Sequence, residues 1–558
     1  MSTLLRSIPF VRASYKIGKP HTIPAVQLQR TLLAFQNDRR YVNGFGGPSP
    51  GQIGPQADDV EEPPIAEKDR PRSQWSATLF KMFESAAATF ASLLILGLAG
   101  YTYHKYYKYL ILKKMAKAFE PGDPVLELAA LGKGPPNNIL QGDDQHWIRH
   151  AEQAKIDGII NGTDRGHYHL LIGEKGTGKS SMLLHAMRKV DGEGISMFEA
   201  HADLEIFRIR LGKALDYEFH EDYIGSLFSI KGPREGNTAL LDIERAFNKL
   251  EKLALIRRKK VGRPLVLIVN STHLLRDDDD GRDLLELIQQ RAEQWAASNL
   301  VTVVLNSDDY WVYERLKQYS TRMEVLPVLD LPREQAISAL MQFRKRHYKD
   351  EEQPSSELLG EVYSRLGGRL TFLNRVAKSP DMLRTCEEIC QVEKTWFLNN
   401  CWILGDGCDD DVMDQQKYAA AAMVLAKALV DQEKEAGSNS DKPYLLPQIP
   451  LHNAREIMTR ADFIKSYDHI NVFTIDAQAM VRADSVPMQR AFRQICSEPG
   501  FEAHLEATLD RISAIESLGR TREVVAKDLI AGKYKISGRP DRGEGITVEV
   551  YPTGEANR

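Results

Sequence analysis

The sequence predicts an α/β protein centred on a parallel sheet with helices on both faces. It adds a helical region behind that sheet, a smaller C-terminal domain and one membrane-spanning helix near the N-terminus. Three observations lead there. Residues 173–180 read Gly-Glu-Lys-Gly-Thr-Gly-Lys-Ser, a G-x-x-x-x-G-K-S loop set between an apolar run and a helix-forming run. Short apolar runs alternate with amphipathic stretches over about 150 residues, the pattern of strands joined by crossover helices. Ser85–Tyr103 is 19 residues without a charge, about 28 Å as a helix, close to the hydrocarbon thickness of a bilayer.

Taken in order, residues 1–42 carry seven Lys/Arg against one acid, Asp38. That composition is that of a mitochondrial targeting segment, with a cleavage signal at Arg39-Arg40-Tyr41. Residues 43–84 are rich in Gly, Pro and acid at their start and read as a linker too polar to bury a core. The span at 85–103 contains Gly97 and Gly100 and runs into a belt of tyrosines, with a basic stem over 104–139. Residues 104–118 hold five lysines and no acid, while 55–84 hold seven acids and four bases. With the targeting segment implying the inner mitochondrial membrane, that asymmetry favours the large C-terminal part on the matrix side. A stop-transfer route would instead place the same part in the intermembrane space.

The nucleotide core is predicted over 140–330. Its strands are Tyr168–Ile172, Ile195–Glu199, Leu265–Val269, Leu300–Leu305 and Met323–Val328, separated by helices such as Ala239–Arg257 and Arg282–Ser298. Within the loop, Gly173, Gly176 and Gly178 let backbone amides converge on phosphates at a helix N-terminus, with Glu174, Lys175 and Thr177 between them. Lys179 is placed to reach the β- and γ-phosphates. Ser180 would bind Mg²⁺, and Ser181 follows in the same helical turn. Helices over Pro332–Arg344 and Ser356–Arg365 suit a lid spanning 331–405, in which Thr395–Trp402 reads as packed core.

Over about residues 140–400 the chain resembles the AAA+ ATPases, especially the origin-recognition-like branch. That resemblance implies ATP and Mg²⁺ as ligands, with Asn306 as a sensor at the end of the fourth strand. It implies Arg322 as an arginine finger in a homo-oligomer and Arg369, in Gly367-Gly368-Arg369, as a second sensor. It also implies Asp then Glu at 270 and 271, where this sequence has Asn270 and Ser271. An Asn can hydrogen-bond metal-bound water but brings no charge, and a Ser is no base at neutral pH. A positioned base contributes on the order of 10²–10⁴ in rate, so ATP binding with weak hydrolysis is expected. Asp277–Asp280 and His273 are candidate replacements for the missing carboxylate.

From 415 to 558 a second fold is expected: helices, then a terminal hairpin of Lys533–Ile536 and Ile546–Tyr551. This order resembles a winged-helix domain, as in fungal AAA proteins, with the hairpin as wing. Residues 414–558 hold 19 Lys/Arg and 21 Asp/Glu. That balance argues against a nucleic-acid partner and for packing against protein, although Lys533, Lys535, Arg539 and Arg542 cluster on the hairpin. The five cysteines form no disulfide framework, and Cys386 and Cys390 read as buried core. The leading reading is a nucleotide-dependent switch or scaffold with a protein partner. The alternative is an active ATPase that remodels membrane or nucleoid-associated clients.

Overall fold

The computed structural model describes residues 74–122, 125–126, 148, 150–219, 238–348, 354–403, 413–437, 446–531, 533–537 and 547–551. The expected targeting segment and most of the linker lie outside the described residues.

Helix Gln74–Lys117 is 44 residues long, so the expected span sits inside a longer helix that takes in the last residues of the expected linker and the start of the basic stem. It is the one helix among the described residues long and apolar enough to cross a membrane. Phe90, Leu94 and Leu98 are exposed on it. Its last turn is different. Met115, and Phe119 just beyond the helix, are fully buried in the core beneath the central sheet. The Phe119 carbonyl accepts hydrogen bonds from the Gly194 amide (3.0 Å) and the Arg257 guanidinium (3.3 Å).

The central sheet has five parallel strands: β1 (Tyr168–Ile172), β2 (Ile195–Glu199), β3 (Leu265–Asn270), β4 (Val301–Ser307) and β5 (Met323–Pro327), in the spatial order β2-β3-β4-β1-β5. Leu265–Val269 is buried on both faces, as a continuous apolar strand between helical layers must be. Helix Ala239–Val261 is started by Thr238, whose hydroxyl accepts from the Leu241 amide, and ended by Gly262 at φ 73°. It packs Phe247 edge-on against Trp295 of helix Asp279–Ser298 at 5.5 Å. Asp278 caps that second helix by accepting from the Gly281 amide at 2.8 Å. Asp277 pairs with Arg282 (2.9 Å) and Arg315 (3.1 Å). The acidic run at 277–280 therefore starts a helix and ties it to its neighbours, and does not replace the missing carboxylate.

The lid comprises helices Arg333–His347, Ser356–Leu366, Leu370–Ala377 and Met382–Cys401 around Leu340, Leu359, Val362 and Leu373. Cys386 and Cys390 are free thiols in that core, and burial pushes the Cys386 thiol up to about 12. Of the stretch expected as core, Phe397 and Cys401 are buried, but Trp396 and Trp402 are exposed.

The C-terminal domain runs helix Met413–Gly437, β6 (Ile449–Pro450), helix Leu451–Met458, helix Phe463–His469, β7 (Phe473–Ile475) and β8 (Met480–Ala483), then helices Val486–Cys496 and Phe501–Ala531. The strands form an antiparallel sheet, β6-β8-β7. This is a winged helix whose wing is the β7–β8 hairpin, which corrects the sequence expectation. The terminal hairpin does form, from β9 (Lys533–Ser537) and β10 (Thr547–Tyr551), but as a separate two-stranded sheet. Lys533 and Lys535 thus lie on β9 and not on the wing, while Arg539 and Arg542 lie outside the described residues.

Candidate nucleotide site

The phosphate loop leaves the C-terminal end of β1. Gly176 (φ 89°) and Gly178 (φ 106°) hold backbone angles that an L side chain rarely adopts, and Gly178 caps helix Lys179–Lys189. A cavity of about 560 Å³ opens between this loop and the lid, a size that suits a nucleotide. Gly176, Gly178, Lys179, Ser180 and Ser181 line it, with Ile148, His150, Leu184, Phe343 and Leu370 as apolar and aromatic wall and Arg346, Asn374 and Asp308 as polar groups. Gly173, Glu174, Lys175 and Thr177 build the loop's other side. The Thr177 hydroxyl donates to the Glu174 carbonyl at 3.0 Å.

At the ends of β3 and β4 the expected metal side of the site assembles. Ser180 Oγ donates to Asn270 Oδ1 (3.0 Å), and Asn306 Nδ2 donates to the same oxygen (2.6 Å) and to Ser180 Oγ (3.1 Å). Asn306 Oδ1 is buried without a partner. Ser180 and Asn270 are the side chains that could hold a Mg²⁺ ion, Ser180 by its hydroxyl and Asn270 by a neutral carbonyl that brings no charge. Ser271 turns away into a left-handed conformation (φ 54°) and opens the short 3₁₀ turn Thr272–Leu274.

Lys179 Nζ is held by the carbonyls of Gly173 (2.7 Å) and Glu174 (2.8 Å) and by the Asp308 carboxylate (2.9 Å). Asp308 was not singled out from the sequence. It lies just beyond β4, and following that strand past Asn306 would have found it. His273 joins it: the Asp308 amide donates to Nδ1 at 3.2 Å, and Nε2 stands 3.8 Å from the carboxylate.

The second-sensor role implied for Arg369 is contradicted by its contacts. Its side chain is 2% exposed and does not line the cavity. Nε and Nη2 bind the two oxygens of Asp330 (2.8 and 3.3 Å). Nη1 binds Asp484 (3.0 Å) and the Lys175 carbonyl (3.2 Å), and Nη2 also binds the Asp484 carbonyl. All five N–H donors are used, so none remains for a phosphate. Asp484 follows β8 of the winged helix. From β8 itself Arg482 reaches Glu174 in the phosphate loop, whose carboxylate is 1% exposed. Burial opposes charge on Glu174, but the Arg482 and Arg369 guanidiniums outweigh it and hold its carboxyl below the usual range. Asp484 is shifted the other way, upward, by burial. Glu393, beside Asp484, is pushed up to about 7 by burial and by that neighbouring carboxylate.

Arg322 is exposed at the start of β5, at the opposite end of the sheet from the phosphate loop. It does not reach this chain's own cavity, and a finger role would require a second copy.

The sheet order, the glycine loop at the end of β1 and the lid define an AAA+ P-loop fold. Residues 147–304 match the AAA ATPase domain family, and residues 399–516 match the family described as "Fungal AAA protein, C-terminal winged helix domain". The chain thus carries both an AAA ATPase domain and the winged helix of fungal AAA proteins. No curated protein matches the sequence. Among solved structures, a Walker-type ATPase of Pyrococcus abyssi is 13% identical, with a TM-score of 0.39 over 62% of this chain and 97% of that one. The replication initiator DnaA bound to AMPPCP and single-stranded DNA is 10% identical, with a TM-score of 0.29 over 66% and 97%. Drosophila ORC bound to DNA is 13% identical, with a TM-score of 0.28 over 60% and 91%.

Proposed function

We propose that this protein is a membrane-tethered nucleotide switch of the mitochondrial inner membrane, which binds ATP with Mg²⁺, hydrolyses it weakly and signals occupancy through its winged helix. The observation that carries this reading is where the winged helix docks. Its wing sends Arg482 and Asp484 to the phosphate loop and to Arg369. Its helix Phe463–His469 sends Asp468 to the Tyr310 amide (2.8 Å) and His469 to Asp309 (2.8 Å), at the segment that follows β4. The two elements with which a winged helix ordinarily meets DNA both face the chain's own nucleotide domain. A ligand that shifts the loop or the β4 end acts directly on that interface.

The basic, acid-poor N-terminus and the apolar helix near it support the location, and the lysines after the helix support a matrix-facing domain. Protease protection of a C-terminal tag in mitochondria and mitoplasts tests the topology. For the activity, the purified full chain is titrated with ATP and assayed for turnover, alongside Lys179→Ala. The expected result is Mg²⁺-dependent binding lost in the variant, with turnover about 10²–10⁴-fold below ordinary enzyme rates. Brisk turnover that Lys179→Ala abolishes would replace the switch with an active ATPase that remodels client proteins.

A further inference from the structure

We infer that Asp308 sets the site's discrimination between nucleoside di- and triphosphates, by occupying the place on Lys179 that a γ-phosphate would take. The inference rests on the nucleotide reading above and deepens it. An ammonium has three N–H donors, and those of Lys179 are matched by three acceptors: the Gly173 carbonyl, the Glu174 carbonyl and Asp308 Oδ1. Two are fixed backbone atoms. The third is a carboxylate, an anion inside the cavity that the loop's own lysine neutralises. A diphosphate meets Lys179 through its β-phosphate alone. A triphosphate brings a further anion to Lys179, which repels Asp308 and competes with it for the same donor.

Asp308 is not a loose surface acid. Its side chain is 20% exposed, and its own amide is tied to His273 Nδ1. That bond makes Nδ1 the acceptor and leaves the proton on Nε2, which faces the second carboxylate oxygen. The next two residues are Asp309, paired with His469, and Tyr310, whose amide is capped by Asp468. Moving Asp308 off Lys179 therefore pulls on the contacts that seat the winged helix.

The test measures affinities of the full chain in detergent for fluorescent ATP and ADP analogues with Mg²⁺, for the natural sequence and for Asp308→Asn, with thermal unfolding as a check on folding. Asn keeps the size and loses the charge. The variant is expected to tighten ATP by about tenfold or more, the scale of one unit charge a few ångströms away, and to change ADP by less than about threefold. Equal tightening of both nucleotides overturns the inference, because Asp308 would then be only a counter-ion. Weaker ATP binding also overturns it, because the carboxylate would then serve the metal. If neither folded protein binds either nucleotide, the nucleotide reading falls and this inference with it.

Discussion

Replacing Arg482 with Ala isolates the contact between wing and phosphate loop. The Glu174 carboxylate would stay buried, with Oε2 already lacking a partner, and would lose the guanidinium that binds Oε1. Arg369 stays nearby but has no donor to offer, since all five are committed. Stranding one member of a buried pair costs about 3–5 kcal/mol, a large share of the roughly 5–15 kcal/mol that holds a domain together. At about 2–4 °C per kcal/mol the melting temperature should fall by roughly 6–20 °C. Thermal unfolding of the full chain, followed by circular dichroism, reads this directly. A second variant, Glu174→Gln with Arg482→Met, removes both charges and should recover most of the loss, because an uncharged pair has no ion to strand. A fall of less than about 2 °C for Arg482→Ala, or no recovery in the double variant, would refute the reasoning.

Other outcomes follow from the same contacts. Glu393 titrates at about 7 in the folded protein against an ordinary value of 4.5. Between those values the native state holds a proton that the unfolded chain has released, so stability should fall as pH rises through that window. Melting temperatures from pH 5 to 8 should show a decline that is smaller in Glu393→Gln. Met115→Ala, at the buried end of the N-terminal helix, should cost about 2–5 kcal/mol by denaturant unfolding, because it opens a cavity where that helix enters the ATPase core. Gly178→Ala should weaken ATP binding by equilibrium titration, because a Cβ there meets Leu370 at 2.9 Å and the backbone sits at φ 106°.

What could be read from the sequence was whatever is local in the chain. The glycine spacing of 173–180 is such a signal, and so is Leu265–Val269, whose unbroken apolar run matches a strand buried on both faces. The wing is not of that kind. Strands β7 and β8 are three and four residues long, too short for alternation to show. Their turn also lacks glycine: Ala479 takes the positive φ (59°), and the Asp476 carboxylate satisfies the Gln478 and Met480 amides. A longer run at the C-terminus therefore drew the assignment. Arg369 failed for another reason. Its partners lie 39 and 115 residues away, at Asp330 and Asp484, and nothing local marks either one. Asp308 sits between these cases, adjacent to a correctly placed strand and visible only once that strand is extended.

The departures from the AAA+ pattern fall on one function. Lys179 and Ser180, which would hold a triphosphate and its metal, are present at the loop and bonded to the Gly173 carbonyl and Asn270. The acidic pair at 270 and 271 is absent, and Arg369 is spent on joining lid, loop and wing. If these losses act together, restoring the acids alone should recover affinity for metal more than turnover. Asn270→Asp fits the present geometry, since Ser180 and Asn306 already donate to Oδ1 and would donate equally to a carboxylate. It should tighten Mg²⁺-dependent ATP binding by about tenfold, as one added charge beside the ion. Adding Ser271→Glu should raise turnover by about tenfold to a hundredfold, short of the full 10²–10⁴ of a positioned base, because Arg369, with its donors committed to Asp330, Asp484 and the Lys175 carbonyl, is not available to stabilise the transferring phosphoryl group. Steady-state phosphate release by the double variant decides it. Full recovery would show that Arg369 was never required, and that the carboxylates alone separate this site from an active ATPase.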